Sequence, residues 1–182
     1  CCQENDGAAA IILVSAERAA DFGQPPCYVL GAVAGSHHRA AAGVHNDAHY
    51  ATSTFETVAP RLYEMAKVAP SDVEVVQSYE NFTGGVMMAL VEHGFCTPEQ
   101  ANDFFTLDNL ITPDGAFPLN TSGGNLAEAY MHGLGLTIEA IRQVRGTSPN
   151  QVRAGGVDVS MMIAGPMVTP VSSCIFGSEA SL

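Results

Sequence analysis

Apolar residues fall in short blocks, and the period of those blocks changes along the chain. Residues 8–14 (Ala-Ala-Ala-Ile-Ile-Leu-Val) are apolar without interruption, the pattern of a short strand buried on both faces. Ser15 can cap a short helix over residues 16–22, which Gly23 stops. Gln24-Pro25-Pro26 then makes a boundary before a strand over residues 28–34. Ser53-Thr54-Phe55-Glu56 has the spacing of a capping box, and Phe55, Val58, Leu62 and Met65 form the apolar stripe of the helix it opens. Pro60 is expected to kink that helix and Pro70 to block its continuation. A strand over residues 73–77 comes next, then a helix over 82–93 with Phe82, Val86, Ala89 and Leu90 inward. Thr97-Pro98-Glu99-Gln100 predicts another short helix with proline in its first position.

Pro113-Asp114-Gly115 signals a turn just before the stretch that concentrates the chain's chemistry, Asn120-Thr121-Ser122-Gly123-Gly124-Asn125. A long amphipathic helix is expected directly after it, over residues 126–145, with small residues on several sides that let it sit in the centre of the fold. Thr147-Ser148-Pro149-Asn150 breaks the pattern, and strands over 157–163 and 171–176 close the chain around Ala164-Gly165-Pro166. The order β-α-β-α-β-α-α-β-β indicates α/β layers with the last strand antiparallel. An apolar strand over 8–14 needs neighbours on both sides, so the chain is expected to associate or to be unstable alone.

Composition narrows the classes. The chain has 182 residues, enough for one domain with a sizeable core, and 47% hydrophobic against 14% charged residues fits a folded protein. A net charge of −12 with seven basic residues excludes a nucleic-acid surface. No apolar run reaches the ~20 residues that span a membrane. The five cysteines, at 1, 2, 27, 96 and 174, lack metal-type spacing, and an odd count with no recognisable secretory leader suggests reduced thiols in the cytoplasm. The missing initiator Met and the opening Cys1-Cys2 suggest a fragment, a processed product or one domain of a longer protein.

Two adjacent glycines at 123 and 124 allow a tight turn that leaves backbone amides bare for a ligand, and a helix starting there would aim its dipole at the same spot. Tyr130, one turn into that helix, would bring a phenol to the pocket; alternatively it shares a core face with Leu134, Ile138 and Ile141. Tyr79 falls at a strand end, where sites in α/β sheets collect. His132 either bonds structurally or reaches the pocket. Asn81, Asn120, Ser122, Gly123, Gly124 and Asn125 are the substrate-binding candidates. Residues 35–50 form a loop with His37, His38, His45 and His49; a polar surface or substrate-facing loop is preferred there to a metal site, and Tyr50 is a further catalytic candidate.

The stretches Asp6-Gly7-Ala8-Ala9-Ala10, Tyr79-Glu80-Asn81-Phe82-Thr83, Gly94-Phe95-Cys96, Asn120 to Asn125 and Ile141 to Gly146 run in the order found in thiolase-fold enzymes. Together they resemble the second half of such an enzyme, most closely the sterol-carrier/lipid-transfer branch. The resemblance implies a three-layer α/β/α half-domain over 27–182, preceded by the tail of an N-terminal half-domain over 1–26. By the resemblance, Tyr130 stands where a thiolase has its catalytic histidine, and Tyr79 where the family has Asn or His. The late acid/base cysteine expected in the 164–166 turn is replaced as well, and Cys96 and Cys174 read as small core thiols.

The implied function is carbon–carbon cleavage of a bulky, steroid-like β-hydroxyacyl-CoA by a retro-aldol step. Thiolysis with the nucleophile on the other half, and a non-catalytic lipid or acyl-CoA carrier, are the alternatives. Acyl-CoA is substrate rather than cofactor, and neither a cofactor nor a metal is expected. The implied partners are the N-terminal half-domain, a second copy in a homodimer, and an OB-fold, zinc-ribbon acyl-CoA-binding protein.

Overall fold

The computed structural model describes residues 4–37, 52–111 and 115–182. Tyr50, His38, His45, His49, Pro113 and Asp114 lie outside the described residues. Four strands, β1 (Tyr28–Gly35), β2 (Val75–Ser78), β3 (Val159–Ala164) and β4 (Val171–Gly177), form one mixed sheet in the order β1-β4-β3-β2. β2 runs parallel to β3, whereas β4 is antiparallel to both its neighbours. The expected antiparallel last strand is therefore present.

Strand alternation divides the sheet's side chains between two cores. Val76, Met161, Ile163 and Ile175 join Phe55, Val58, Leu62, Val86 and Leu90 on one face. Val75, Met162 and Phe176 join Leu136, Ala140 and Val144 on the other. Helices α1 (Ala59–Ala66) and α2 (Thr83–Glu92) thus cover the first face, and α5 (Leu134–Arg145) covers the second. The result is a three-layer α/β/α domain. Two short helices, α3 (Ala101–Phe104) and α4 (Leu107–Leu110), follow a proline-initiated turn in which Thr97 and Gln100 make the expected capping box. Among the described residues no helix is long and apolar enough to cross a membrane, and no cluster of three His, Cys, Asp or Glu side chains could hold a metal.

Several expectations are corrected. Residues 8–14 form no strand: they lie unpaired, with Ile12 82% and Leu13 78% exposed. A strand exists through its hydrogen-bonded neighbours, and none of the four sheet strands reaches this run. The Ser53–Glu56 segment is not a helix start either. Glu92 accepts from Thr52 Oγ1 at 2.5 Å and from the Ser53 and Phe55 amides at 2.7 Å each, and Thr54 has φ of 72°. Pro60 accordingly sits in the first turn of α1, where it starts the helix without kinking it. Met65 and Phe82 face outward, at 53% and 58% exposure. The largest change concerns the central helix: after a short 3-10 turn (Gly124–Leu126) the backbone leaves helical geometry until Leu134. His132 at φ 51° and Gly133 at φ 83° break the run.

His93, on the α2 side, shows how dry the first core is. Its Nδ1 donates to the Ala89 carbonyl at 2.7 Å, and since that carbonyl can only accept, Nε2 is left to accept from the Ser173 hydroxyl at 3.0 Å. Burial holds this neutral imidazole well below the ordinary histidine range, at about 4. A depressed folded pKa confers stability above the unfolded value near 6.5 that is lost as pH falls towards about 4. We expect this one proton to cost up to about 3 kcal/mol across that window. The thermal midpoint of the intact protein should then fall more steeply with acid for wild type than for His93→Gln; equal slopes would show that the ring is not held neutral.

Candidate functional site

The site begins where β2 ends. Val75, Gln77 and Tyr79 alternate onto the α5 side of the sheet, so Tyr79 emerges past the carboxyl end of β2 facing that layer. Its amide donates to Ile163 O at 2.8 Å, which ties it to the end of β3. Two strands running parallel to a common end create the crevice in which α/β sites form.

Asn120 joins the next segment to this edge. Its amide donates to Val76 O at 3.0 Å, and its side chain both accepts from the Ser78 amide at 2.7 Å and donates to Ser78 O at 2.9 Å. Asn120 therefore acts as a surrogate strand residue, with its side-chain amide satisfied by backbone. Thr121 then turns into the domain, and a turn closed by Gly123 N to Asn120 O at 2.8 Å brings in the two glycines.

The Asn125 amide of that turn is not bare. Glu80 fills the nest: one carboxylate oxygen accepts from the Asn125 backbone amide, the other from Asn125 Nδ2 at 3.2 Å and Asn120 Nδ2 at 3.5 Å. A Cβ at Gly124 would run into Glu80 Oε1, and φ is 71° there, so glycine is required. The anion that the motif attracts is thus a neighbour of Tyr79 in the chain. No role for Glu80 follows from the sequence alone: it lies 44 residues before Gly124, and only the fold brings the two together.

Tyr130 reaches the pocket from a non-helical loop instead of from within a helix. Its hydroxyl is hydrogen-bonded to that of Tyr79, with the rings tilted at 59° and their centroids 6.2 Å apart. His132 is exposed but lays its ring edge-on to Tyr130 at 5.1 Å. Gly133 fixes the approach, because a Cβ there would lie 2.8 Å from Tyr79 Cδ2. Asn81 donates to Pro166 O at 3.1 Å, linking the site to the 164–166 turn. Asn81 Oδ1 and Ser122 Oγ are buried with no hydrogen-bond partner among the described residues. The structure thus gathers Tyr79, Tyr130, His132 and the Asn120–Asn125 turn around one end of the sheet.

The three described cysteines, Cys27, Cys96 and Cys174, are free thiols. Burial pushes the Cys27 thiol up to about 11 and Cys174 up to about 12, and raises Cys96 as well. Thiols held protonated in this way are poor nucleophiles. An open groove lined by Phe95, Cys96, Asp103, Phe104 and Asn109 includes none of the site residues.

Residues 34–178 match the family model described as thiolase C-terminal domain-like. The chain belongs to this family. The thiolase-like chain is 39% identical over 98% of its length to a steroid side-chain-cleaving aldolase of Thermomonospora curvata. It is 37% identical over 97% of its length to 17-hydroxy-3-oxo-4-pregnene-20-carboxyl-CoA lyase of Mycobacterium tuberculosis. It spans 45% of the length of each of these relatives. Among solved structures, the Ltp2-ChsH2(DUF35) aldolase superposes with a TM-score of 0.84 at 37% identity, over 93% of this chain and 44% of that one. In this thiolase-like domain, Tyr79 and Tyr130 form the hydrogen-bonded centre of the candidate site.

That centre depends on Gly133. Gly133→Ala forces a side chain into a left-handed backbone and against the Tyr79 ring. We expect a loss of about 1–2 kcal/mol in stability and, from the displaced phenol, on the order of 10²-fold in turnover of the intact enzyme. Gly84→Ala, inside α2 where nothing lies within 4 Å of the added carbon, should leave turnover unchanged and stability equal or slightly raised. Equal behaviour of the two variants would remove Gly133 from the site's geometry.

Proposed function

We infer that this domain supplies the proton-transfer centre of an acyl-CoA carbon–carbon lyase, one that cleaves a bulky, steroid-like β-hydroxyacyl-CoA by a retro-aldol step. The observation that carries this reading is the hydrogen bond between the Tyr79 and Tyr130 hydroxyls at the carboxyl end of β2. Retro-aldol cleavage takes a proton from the β-hydroxyl, breaks the bond between the α and β carbons, and leaves a ketone and a thioester enolate. The enolate then takes up a proton to give the shorter acyl-CoA. Two phenols joined by a hydrogen bond can divide these tasks: one oxygen takes the β-hydroxyl proton as it gives up its own along the hydrogen bond, and the second phenol stabilises the enolate and passes a proton to its α carbon, so that both end neutral. The scheme needs no oxidant, no resident cofactor and no covalent cysteine, in keeping with the protonated thiols of this domain.

The names of the relatives support the substrate class. The lyase of Mycobacterium tuberculosis is named for a steroid acyl-CoA with a 17-hydroxyl and a thioester on carbon 20, a β-hydroxy arrangement. The chain's 45% share of that protein leaves room for an N-terminal half-domain, which we take to complete the acyl-CoA site. A homodimer and an OB-fold, zinc-ribbon partner complete the proposed assembly; the two-component name of the solved aldolase supports the second. Free Cys27, Cys96 and Cys174 agree with a reducing cytoplasm.

The test uses the full-length enzyme with its partner and a β-hydroxyacyl-CoA. Tyr79→Phe and Tyr130→Phe should each lower the rate ~10²–10⁴-fold, the usual cost of a lost proton-transfer group, and turnover should not need free CoA. Near-full activity in both variants, or an absolute requirement for free CoA, would overturn the reading and point to thiolysis.

A further inference from the structure

The Tyr130 loop is held by a segment more than a hundred residues away in sequence. Residues 4–10 adopt neither helix nor strand, and Asn5 and Gly7 among them lie against residues 129–131. Asn5 Oδ1 accepts a hydrogen bond from the Tyr130 backbone amide at 3.0 Å. Two residues on, Gly7 packs so closely that a Cβ would lie 3.3 Å from Met131 Cγ and Sδ and 3.4 Å from Ala129 Cβ. The same short segment thus bonds residue 130 and presses on the residues either side of it.

Two backbone hydrogen bonds bound the loop. Its start is fixed by Glu128 N to Gly124 O at 3.1 Å, and its end by Leu134 N to Met131 O at 3.2 Å. Between these points the backbone crosses two left-handed residues, His132 and Gly133, and lacks helical continuity. The phenol oxygen sits at the far end of the side chain from this backbone, so a small rotation of the peptide moves it by more than a hydrogen bond tolerates.

We propose that Asn5 is a positioning residue for Tyr130: its side-chain oxygen sets the Tyr130 peptide, and through it the meeting of the Tyr130 and Tyr79 hydroxyls. The inference rests on the reading of the phenol pair as the proton-transfer centre. It assigns the 4–10 segment to the working geometry of the site, although that segment belongs to no layer of the fold.

The experiment uses the full-length enzyme with its partner. Asn5→Leu keeps the volume and removes the acceptor, whereas Asn5→Asp keeps an acceptor oxygen. Asn5→Leu should lower kcat roughly 10- to 100-fold with KM within about twofold, as expected for a misplaced catalytic group, and Asn5→Asp should recover most of the loss. In a Tyr130→Phe background, Asn5→Leu should cost nothing further, because the hydroxyl it positions is gone. An unchanged kcat for Asn5→Leu, or an equal loss in both backgrounds, overturns the inference while leaving the phenol pair in place. Full activity of Tyr130→Phe alone overturns the phenol reading and this inference with it. If Asn5→Leu does not fold, amide hydrogen exchange on the wild-type enzyme decides: the Tyr130 amide should exchange slowly, and exchange at the rate of an unprotected amide overturns the proposal.

Discussion

The site stands on a buried polar network beneath it. Thr121 Oγ1 donates to Glu139 Oε1 at 2.6 Å while accepting from Gln77 Nε2 at 2.8 Å and Gln143 Nε2 at 3.1 Å. Glu139 Oε1 also accepts from Ser148 Oγ at 2.7 Å and Gln143 Nε2 at 2.9 Å. Thr121, Glu139, Gln143, Gln77 and Ser148 are all buried. A buried polar group left unpaired costs more than the pair contributes, so this cluster holds together or fails as a unit. It joins β2, the segment before the glycine turn and α5, the three elements whose meeting defines the pocket. Tyr79 leaves β2 two residues after Gln77, and Gly123 follows Thr121 by two residues within the turn; both are therefore placed by the same set of bonds.

Much of this architecture was legible because period reports burial. The four sheet strands, the α2 helix and the antiparallel last pairing follow from alternation, apolar runs and Gly/Pro punctuation. The helix expected over 126–145 went wrong at its start, for a physical reason. Its apolar spacing continues through Gly133, but a periodic pattern cannot reveal that His132 and Gly133 take positive φ. Residues 8–14 misled for a related cause, since an apolar run specifies a strand only when a neighbouring strand is there to pair with it.

The candidate site was legible in part. The glycine pair and both tyrosines stood out as residue types in telling places. Glu80 did not, because its role depends on a turn 44 residues later folding over it. Asn5 carried no local signal at all. The histidine-rich stretch offered metal-like spacing, and His38, His45 and His49 lie outside the described residues; among the described residues, His132 lays its ring against Tyr130. Chemistry here is assembled by topology, and residue spacing along the chain records little of it.

The account's central claim is that the paired phenols are the place where the reacting carbons sit. The most direct measurement is a structure of the full-length enzyme with its partner, bound to a β-hydroxyacyl-CoA analogue that cannot be cleaved. The account predicts the analogue's β-hydroxyl or thioester oxygen within about 3 Å of the Tyr79 or Tyr130 hydroxyl. An acyl group bound elsewhere, with the two phenols still bonded to each other and untouched by ligand, would contradict it.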